Sequence, residues 1–137
     1  MIAAKTLSDL PESGEIYIFG ASRGGQMLLE LLRKLPRIKV IGFIDNQKTG
    51  TVLGFPVIDF DTFISTRKEN VEIVIASMYV YEIAAQLRRS GIKKFYNAHP
   101  LVVEKIKEKE KMKRTAFMVF GIFLSILLLS ALTLYVF

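Results

Sequence analysis

The sequence predicts an α/β fold, a doubly wound parallel sheet followed by one C-terminal transmembrane helix, on three observations. Apolar runs at 15–20, 39–45 and 71–76 alternate with stretches of helical periodicity. The residues GASRGG stand where the first run gives way to the first helix. The stretch 116–137 carries no charged residue. Strands separated by helices of about ten residues cannot pair as hairpins, so they pair in parallel through right-handed crossovers, with helices on both faces.

Taken in order, Glu15 to Gly20 reads as a buried strand, and an amphipathic helix runs from about Ser22 to Leu35. Lys39 to Asp45 forms the next strand, followed by a turn through Gln47–Gly50 and a short extended piece at Gly54–Ile58. Asp59-Phe60-Asp61 looks like the capped start of a helix reaching about Lys68, and capping is the expected work of both acids rather than metal binding. Val71 to Ala76 is rich in β-branched residues, as a buried strand should be. A helix from Val80 to Arg89 ends at Gly91, Lys93 to Asn97 supplies the last strand, and Pro100 opens a helix that continues through a basic stretch. His99 is expected in the loop before it. Four segments result: an N-terminal segment 1–14, a Rossmann-like nucleotide-binding domain 15–103, a basic juxtamembrane helix 104–115 and a transmembrane helix 116–137.

Composition bounds the chemistry. The 137 residues include no Cys, no Trp and a single His. Disulfide, cysteine-nucleophile and zinc-thiolate chemistry are excluded, as is a multi-histidine metal centre. The stretch 116–137 would reach about 33 Å as a helix, against roughly 30 Å for a bilayer core. Its place at the end of the sequence, with no signal-like apolar core in 1–14, reads as a tail anchor. Before it, Lys105, Lys107, Lys109, Lys111, Lys113 and Arg114 outnumber Glu104, Glu108 and Glu110. That marks the cytoplasmic side of a single-pass membrane protein.

The same stretch supplies half of the net charge of +6, and residues 1–103 carry only 13 bases against 10 acids. Anionic membrane lipids explain the excess, and no nucleic-acid partner is expected. Gly121 and Ser125 form a small-xxx-small pair of the kind that lets membrane helices self-associate, although small residues are common in such helices.

In a doubly wound sheet, ligands sit at the carboxyl ends of the strands where strand order reverses. This brings together Gly20, Ala21, Ser22, Arg23, Gly24 and Gly25, then Asp45 and Asn46, then Ser77, Met78 and Tyr79. Backbone can approach a phosphate only where side chains are absent, and a helix N-terminus offers unpaired N–H groups to an anion. Those glycines serve equally well to permit a tight turn and close packing. Ser22 stands where the G-x-G-x-x-G fingerprint has its second glycine, and can cap the helix or donate to a phosphate. Arg23 is placed to pair with a phosphate or simply to be solvated. Asp45 lies close to the offset at which an acid holds ribose hydroxyls, or else opens an Asp-Asn-Gln-Lys turn. Tyr79 and Tyr81 can stack on a base, with one of them expected to pack under the sheet. No catalytic or metal-ligating group is assigned.

The segments IFGASRGGQMLLELL, VIGFIDN, GFPVID and VEIVIAS, with the helix ending at GIKKF, resemble the CoA-binding-like Rossmann domain of bacterial polysaccharide-biosynthesis proteins. Such domains occur in nucleotide-sugar dehydratases, glycosyl-phosphotransferases and the N-terminal part of sugar acyltransferases. The resemblance maps that family's glycine turn and strand-end acid onto Gly20, Gly24, Gly25 and Asp45, and Ser22 departs from the common G-A-G form. In those relatives the chemistry resides in another domain. Here no Tyr has a Lys four residues later, and the glycine turn is not followed by Gly-Lys-Ser/Thr.

The resemblance therefore implies a membrane-tethered module that binds a nucleotide or nucleotide-sugar, with NAD(P) or a UDP-sugar as candidate ligands. Membrane polysaccharide-synthesis enzymes or a second copy would be its protein partners. Two alternatives stay open: an NAD(P)-dependent sugar-nucleotide oxidoreductase or dehydratase subunit using Tyr79, Tyr81 or His99 to relay a proton, and a membrane scaffold that binds nothing.

Overall fold

The structure is a computed structural model describing residues 1–136, so Phe137, the last residue of the expected membrane span, lies outside the described residues. The chain divides into two compact units, Met1–Glu104 and Lys105–Phe137. In chain order the elements are β1 (Ile2–Ala3), β2 (Gly14–Phe19), α1 (Arg23–Leu32), β3 (Ile38–Ile44), β4 (Gly50–Val52), β5 (Phe55–Ile58), α2 (Phe60–Thr66), β6 (Glu72–Ile75), α3 (Val80–Arg89), β7 (Tyr96–Asn97) and α4 (His99–Val136).

One seven-stranded sheet has the order β1-β7-β6-β2-β3-β5-β4. Strand β2 lies between β3 and β6, parallel to both, so strand order reverses at its carboxyl end. Alternation along the strands feeds two cores. Phe19, Ile44, Ile73 and Ile75 join Phe60 and Phe63 of α2 and Ile83 and Leu87 of α3 on one face. Ile16, Ile18, Phe43 and Val74 are buried as well, as are Leu28, Leu29 and Leu32 of α1 and Leu101 and Val102 of α4. A methyl group at Gly24 would lie 3.5 Å from Val102, and one at Gly25 would lie 3.2 Å from Phe43, which places α1, Phe43 and Val102 together on the second face.

Four features depart from the sequence reading. Residues 1–14, set apart as a separate segment, contribute β1, which pairs in parallel with β7 at the sheet edge. The stretch read as a turn and an extended piece is a hairpin: β4 pairs antiparallel with β5, so the sheet is mostly rather than wholly parallel. Its tip places Leu53 and Gly54 at φ 51° and 82°, the left-handed pair of a two-residue hairpin turn. His99, expected in a loop, opens α4, and its N–H donates to Asn97 Oδ1 at 3.0 Å. The last strand covers only Tyr96–Asn97 of the expected Lys93–Asn97.

Asp59 caps α2 as its position suggests: its carboxylate accepts from Thr62 N–H at 2.7 Å and from Thr62 Oγ1 at 2.9 Å. The Thr62 N–H bond, followed by the hydroxyl, holds the Asp59 pKa below its ordinary value. A depressed carboxyl pKa adds stability that is present above the unfolded-state value and lost as pH falls through the folded-state value. Asp59→Ala is expected to lower the melting temperature by a few degrees at pH 7 and by less near pH 3, measured by circular dichroism. An equal loss at both pH values would show that the carboxylate charge contributes nothing.

The α4 stretch His99–Thr133, which begins in the first unit, is the one helix among the described residues long and apolar enough to cross a membrane. Its hydroxyls bond to carbonyls of the same helix: Ser125 to Gly121 at 2.8 Å, Ser130 to Leu127 at 2.8 Å and Thr133 to Ser130 at 2.7 Å. Hydrocarbon offers no hydrogen-bond partner, and this internal pairing is how a spanning helix tolerates hydroxyls.

Candidate functional site

A cavity of about 400 Å³ opens at the carboxyl ends of β2 and β3 and runs along α3. Phe19, Gly20 and Ser22 line it from the first strand and its turn, and Asp45, Asn46, Gln47 and Lys48 from the end of β3. Helix α3 adds Tyr79, Glu82, Ile83, Gln86 and Arg89. These last residues recur at three- and four-residue intervals and so form one stripe along the helix, from its N-cap Tyr79 to its last residue.

The glycine turn owes its shape to packing. Gly20 adopts φ 112°, in the left-handed region, and its N–H donates to Ile44 O at 2.8 Å. A Cβ on Gly24 would stand 2.3 Å from Ala76 O, and one on Gly25 would stand 1.8 Å from Gly20 O. Both glycines therefore serve the close approach of α1 to the ends of β2 and β6, and neither lines the cavity. Ser22 is the residue of the turn that both lines the cavity and is exposed. It is the N-cap of α1 and makes no side-chain cap bond.

Asp45 points at the glycine turn. Its Oδ2 accepts from the N–H of buried Ala21 at 2.9 Å, while Oδ1 accepts from Gln47 N–H at 2.9 Å and Lys48 N–H at 3.0 Å. The carboxylate thus does the turn-forming work that was one of its two sequence readings, and also ties that turn to the first loop. Beside it, Asn46 Nδ2 donates to Gln86 Oε1 at 2.9 Å and Gln86 Nε2 donates back to Asn46 Oδ1 at 3.3 Å, joining the β3 loop to α3.

Of the eleven residues expected at the site, Gly20, Ser22, Asp45, Asn46 and Tyr79 line the cavity. Ala21 is buried, its N–H donating to Asp45 and its carbonyl accepting from Gln26 Nε2 at 3.5 Å. Arg23 is exposed on the first turn of α1, away from the lining, as is Met78, 73% exposed, in the loop before α3. Ser77 Oγ accepts from Tyr79 N–H at 3.2 Å and shapes that loop. The expectation that Tyr79 or Tyr81 packs under the sheet fails: Tyr79, the N-cap of α3, is 57% exposed and Tyr81, on its first turn, is 81% exposed, while Val80 between them turns in. Sequence reasoning missed Lys48 and the stripe Glu82, Gln86 and Arg89. The signal was the polar residues at helical spacing in α3, which sequence alone does not distinguish from a solvated helix face.

The stretch from β2 through Ser77 carries the glycine turn, the strand-end acid and the β4–β5 hairpin. Residues 15–77 match the PglD N-terminal domain. The matched stretch ends before α3, so it includes the turn and Asp45 but not Glu82, Gln86 or Arg89. No curated protein matches the chain. Among solved structures it is similar to RSP, a Rex-family repressor, at 18% identity and a TM-score of 0.48 over 62% of this chain and 44% of that one. It is also similar to an engineered D-amino acid dehydrogenase bound to NADP+, at 16% identity and a TM-score of 0.47 over 64% of this chain and 27% of that one. The chain thus spans less than half the length of either structure.

Proposed function

We propose that the chain is a membrane-tethered module that binds a nucleotide or nucleotide-sugar, as an accessory or regulatory component of a polysaccharide or glycolipid pathway. The observation that carries this reading is the cavity at the reversal point of the sheet, bounded by the Gly20–Ser22 turn and opening along α3. At such a place helix N-terminal N–H groups attract a diphosphate, and the strand ends receive its nucleoside. The match of residues 15–77 to the PglD N-terminal domain supports the sugar-nucleotide class.

Binding is favoured over turnover by what the lining contains. The Asp45 carboxylate is engaged by three backbone N–H groups as part of the fold. The lining has no Lys, His or Cys in a hydrogen-bonded pair with another titratable side chain among the described residues. The apolar stretch of α4 and the basic run before it support anchorage in a bilayer with the bases on the cytoplasmic side. A tether of this kind raises the concentration of the bound nucleotide beside membrane enzymes.

The test is calorimetry and thermal unfolding of the full chain in detergent, with UDP, UDP-glucose, NAD+, NADP+ and CoA. At a ligand concentration of about 100 times Kd, a specific ligand stabilises by about 2.7 kcal/mol, readily seen as a saturable rise in melting temperature. Absence of a saturable rise with all five would overturn the reading. Cofactor-dependent turnover of a sugar nucleotide would replace it with the oxidoreductase alternative.

A further inference from the structure

We propose that Lys111, Lys113 and Arg114 form a binding surface for anionic phospholipid headgroups, selective for net negative charge rather than for lipid in general. The inference rests on the reading of residues 116–137 as a membrane span and goes beyond it, because a span by itself requires no particular headgroup. Helix α4 runs unbroken from His99 to Val136, so positions along it follow from the helical rise of about 1.5 Å per residue. The polar residue next to the charge-free stretch, Thr115, turns its hydroxyl inward and donates to Lys111 O at 3.1 Å. Recognition of a headgroup at this level therefore falls to the bases.

The charges are sorted by distance from the span. Measured along the axis from Ala116, Arg114 stands about 3 Å away, Lys113 about 4.5 Å and Lys111 about 7.5 Å. The acids stand farther off, Glu110 at about 9 Å, Glu108 at about 12 Å and Glu104 at about 18 Å. The headgroup layer of a bilayer is about 5–8 Å deep on each side. With the apolar stretch seated in hydrocarbon, that layer receives three bases and no acid, although the whole stretch 104–114 mixes both signs.

The bases at this depth are also uncommitted. Lys111, Lys113 and Arg114 are exposed and form none of the ion pairs found among the described residues, whereas Glu108 is taken up by Lys105 at 2.8 Å. Charge complementarity selects the partner. A zwitterionic headgroup brings an amine along with its phosphate and gains little here, while an anionic one brings the phosphate without it. Near an anionic surface each Lys or Arg is worth about a fivefold preference. Arg114 can in addition hold one phosphate through two N–H groups.

The test reconstitutes the full chain in nanodiscs of phosphatidylcholine with phosphatidylglycerol as the minor component. Native mass spectrometry then counts the lipids that stay bound when mild detergent strips the disc. Phosphatidylglycerol is expected to be retained about fivefold or more above its share of the disc, and the excess to fall to within about twofold in Lys111→Gln/Lys113→Gln/Arg114→Gln and at high salt. Lys34→Gln/Arg37→Gln/Lys93→Gln removes the same charge from the first unit and is expected to retain phosphatidylglycerol as the parent does. Retention in proportion to the composition of the disc would overturn the proposal. An equal fall in both triple variants would also overturn it, by assigning the preference to net charge. Flotation with vesicles of phosphatidylcholine alone, after an alkaline carbonate wash, separates this failure from that of the span. A parent chain that stays with those vesicles but shows no headgroup preference loses only the surface described here, and one that is washed off them loses the span as well.

Discussion

Replacing Gly25 with alanine is expected to cost about 3 kcal/mol or more, enough to remove much of the stability of a domain held by about 5–15 kcal/mol. The added Cβ would stand 1.8 Å from Gly20 O, 3.0 Å from Gly20 C and 3.2 Å from Phe43 Cε1. Two of those three atoms are backbone of the turn itself, so no rotamer change relieves the clash. Either α1 lifts from the sheet, uncovering Leu28, Leu29 and Leu32, or Gly20 leaves its place beside β3. Ser22→Ala, in the same turn but exposed and without a cap bond, should cost less than about 0.5 kcal/mol. Thermal and urea unfolding of the full chain in detergent compare the two variants. A Gly25→Ala protein melting within about two degrees of the parent would show that α1 does not pack as closely as described.

Asp45→Ala is expected to cost about 2–4 kcal/mol, since three backbone N–H groups lose a charged acceptor and the one on Ala21 is buried. Asp45→Asn separates this role from that of an ordinary turn acid. In a simple turn Asn replaces Asp well. Here the amide nitrogen would face either Ala21 N–H or the pair Gln47 N–H and Lys48 N–H, donor against donor, so Asn is expected to recover less than half of the loss. Unfolding midpoints decide the matter, and a neutral Asp45→Asn would show that the carboxylate serves only its own turn. Because the same side chain holds the glycine turn in place, any loss of nucleotide affinity in these variants has to be read against their unfolding curves.

The alternating sheet was legible because its signals are local. Glu15–Gly20 and Val71–Ala76 carry β-branched and apolar runs of strand length, and α3 begins and ends where Val80 and Arg89 suggested. What escaped were pairings that only the assembled sheet creates. Strand β1 is two residues long, with no period to detect, and exists because β7 offers an unpaired edge. The β4–β5 hairpin turns on Leu53-Gly54 in place of the usual Asn-Gly, so the turn chemistry gave no warning. At the site, the strand ends were found and the helical wall was not. Tyr79, Glu82, Gln86 and Arg89 read as an exposed polar face until the loop after Asp45 is seen to stand opposite them.

The tightness around Gly24 and Gly25 bears on how relatives of this chain should be interpreted. A residue with no side chain, pressed against carbonyl oxygens of Ala76 and Gly20, resists substitution whether or not the neighbouring space ever receives a guest. A shared glycine signature among such proteins consequently testifies to common architecture, and two proteins carrying it can differ freely in cargo. Lys48 and Arg89, exposed on the cavity lining and outside the ion pairs found among the described residues, are by contrast positions where a change of charge leaves the scaffold undisturbed.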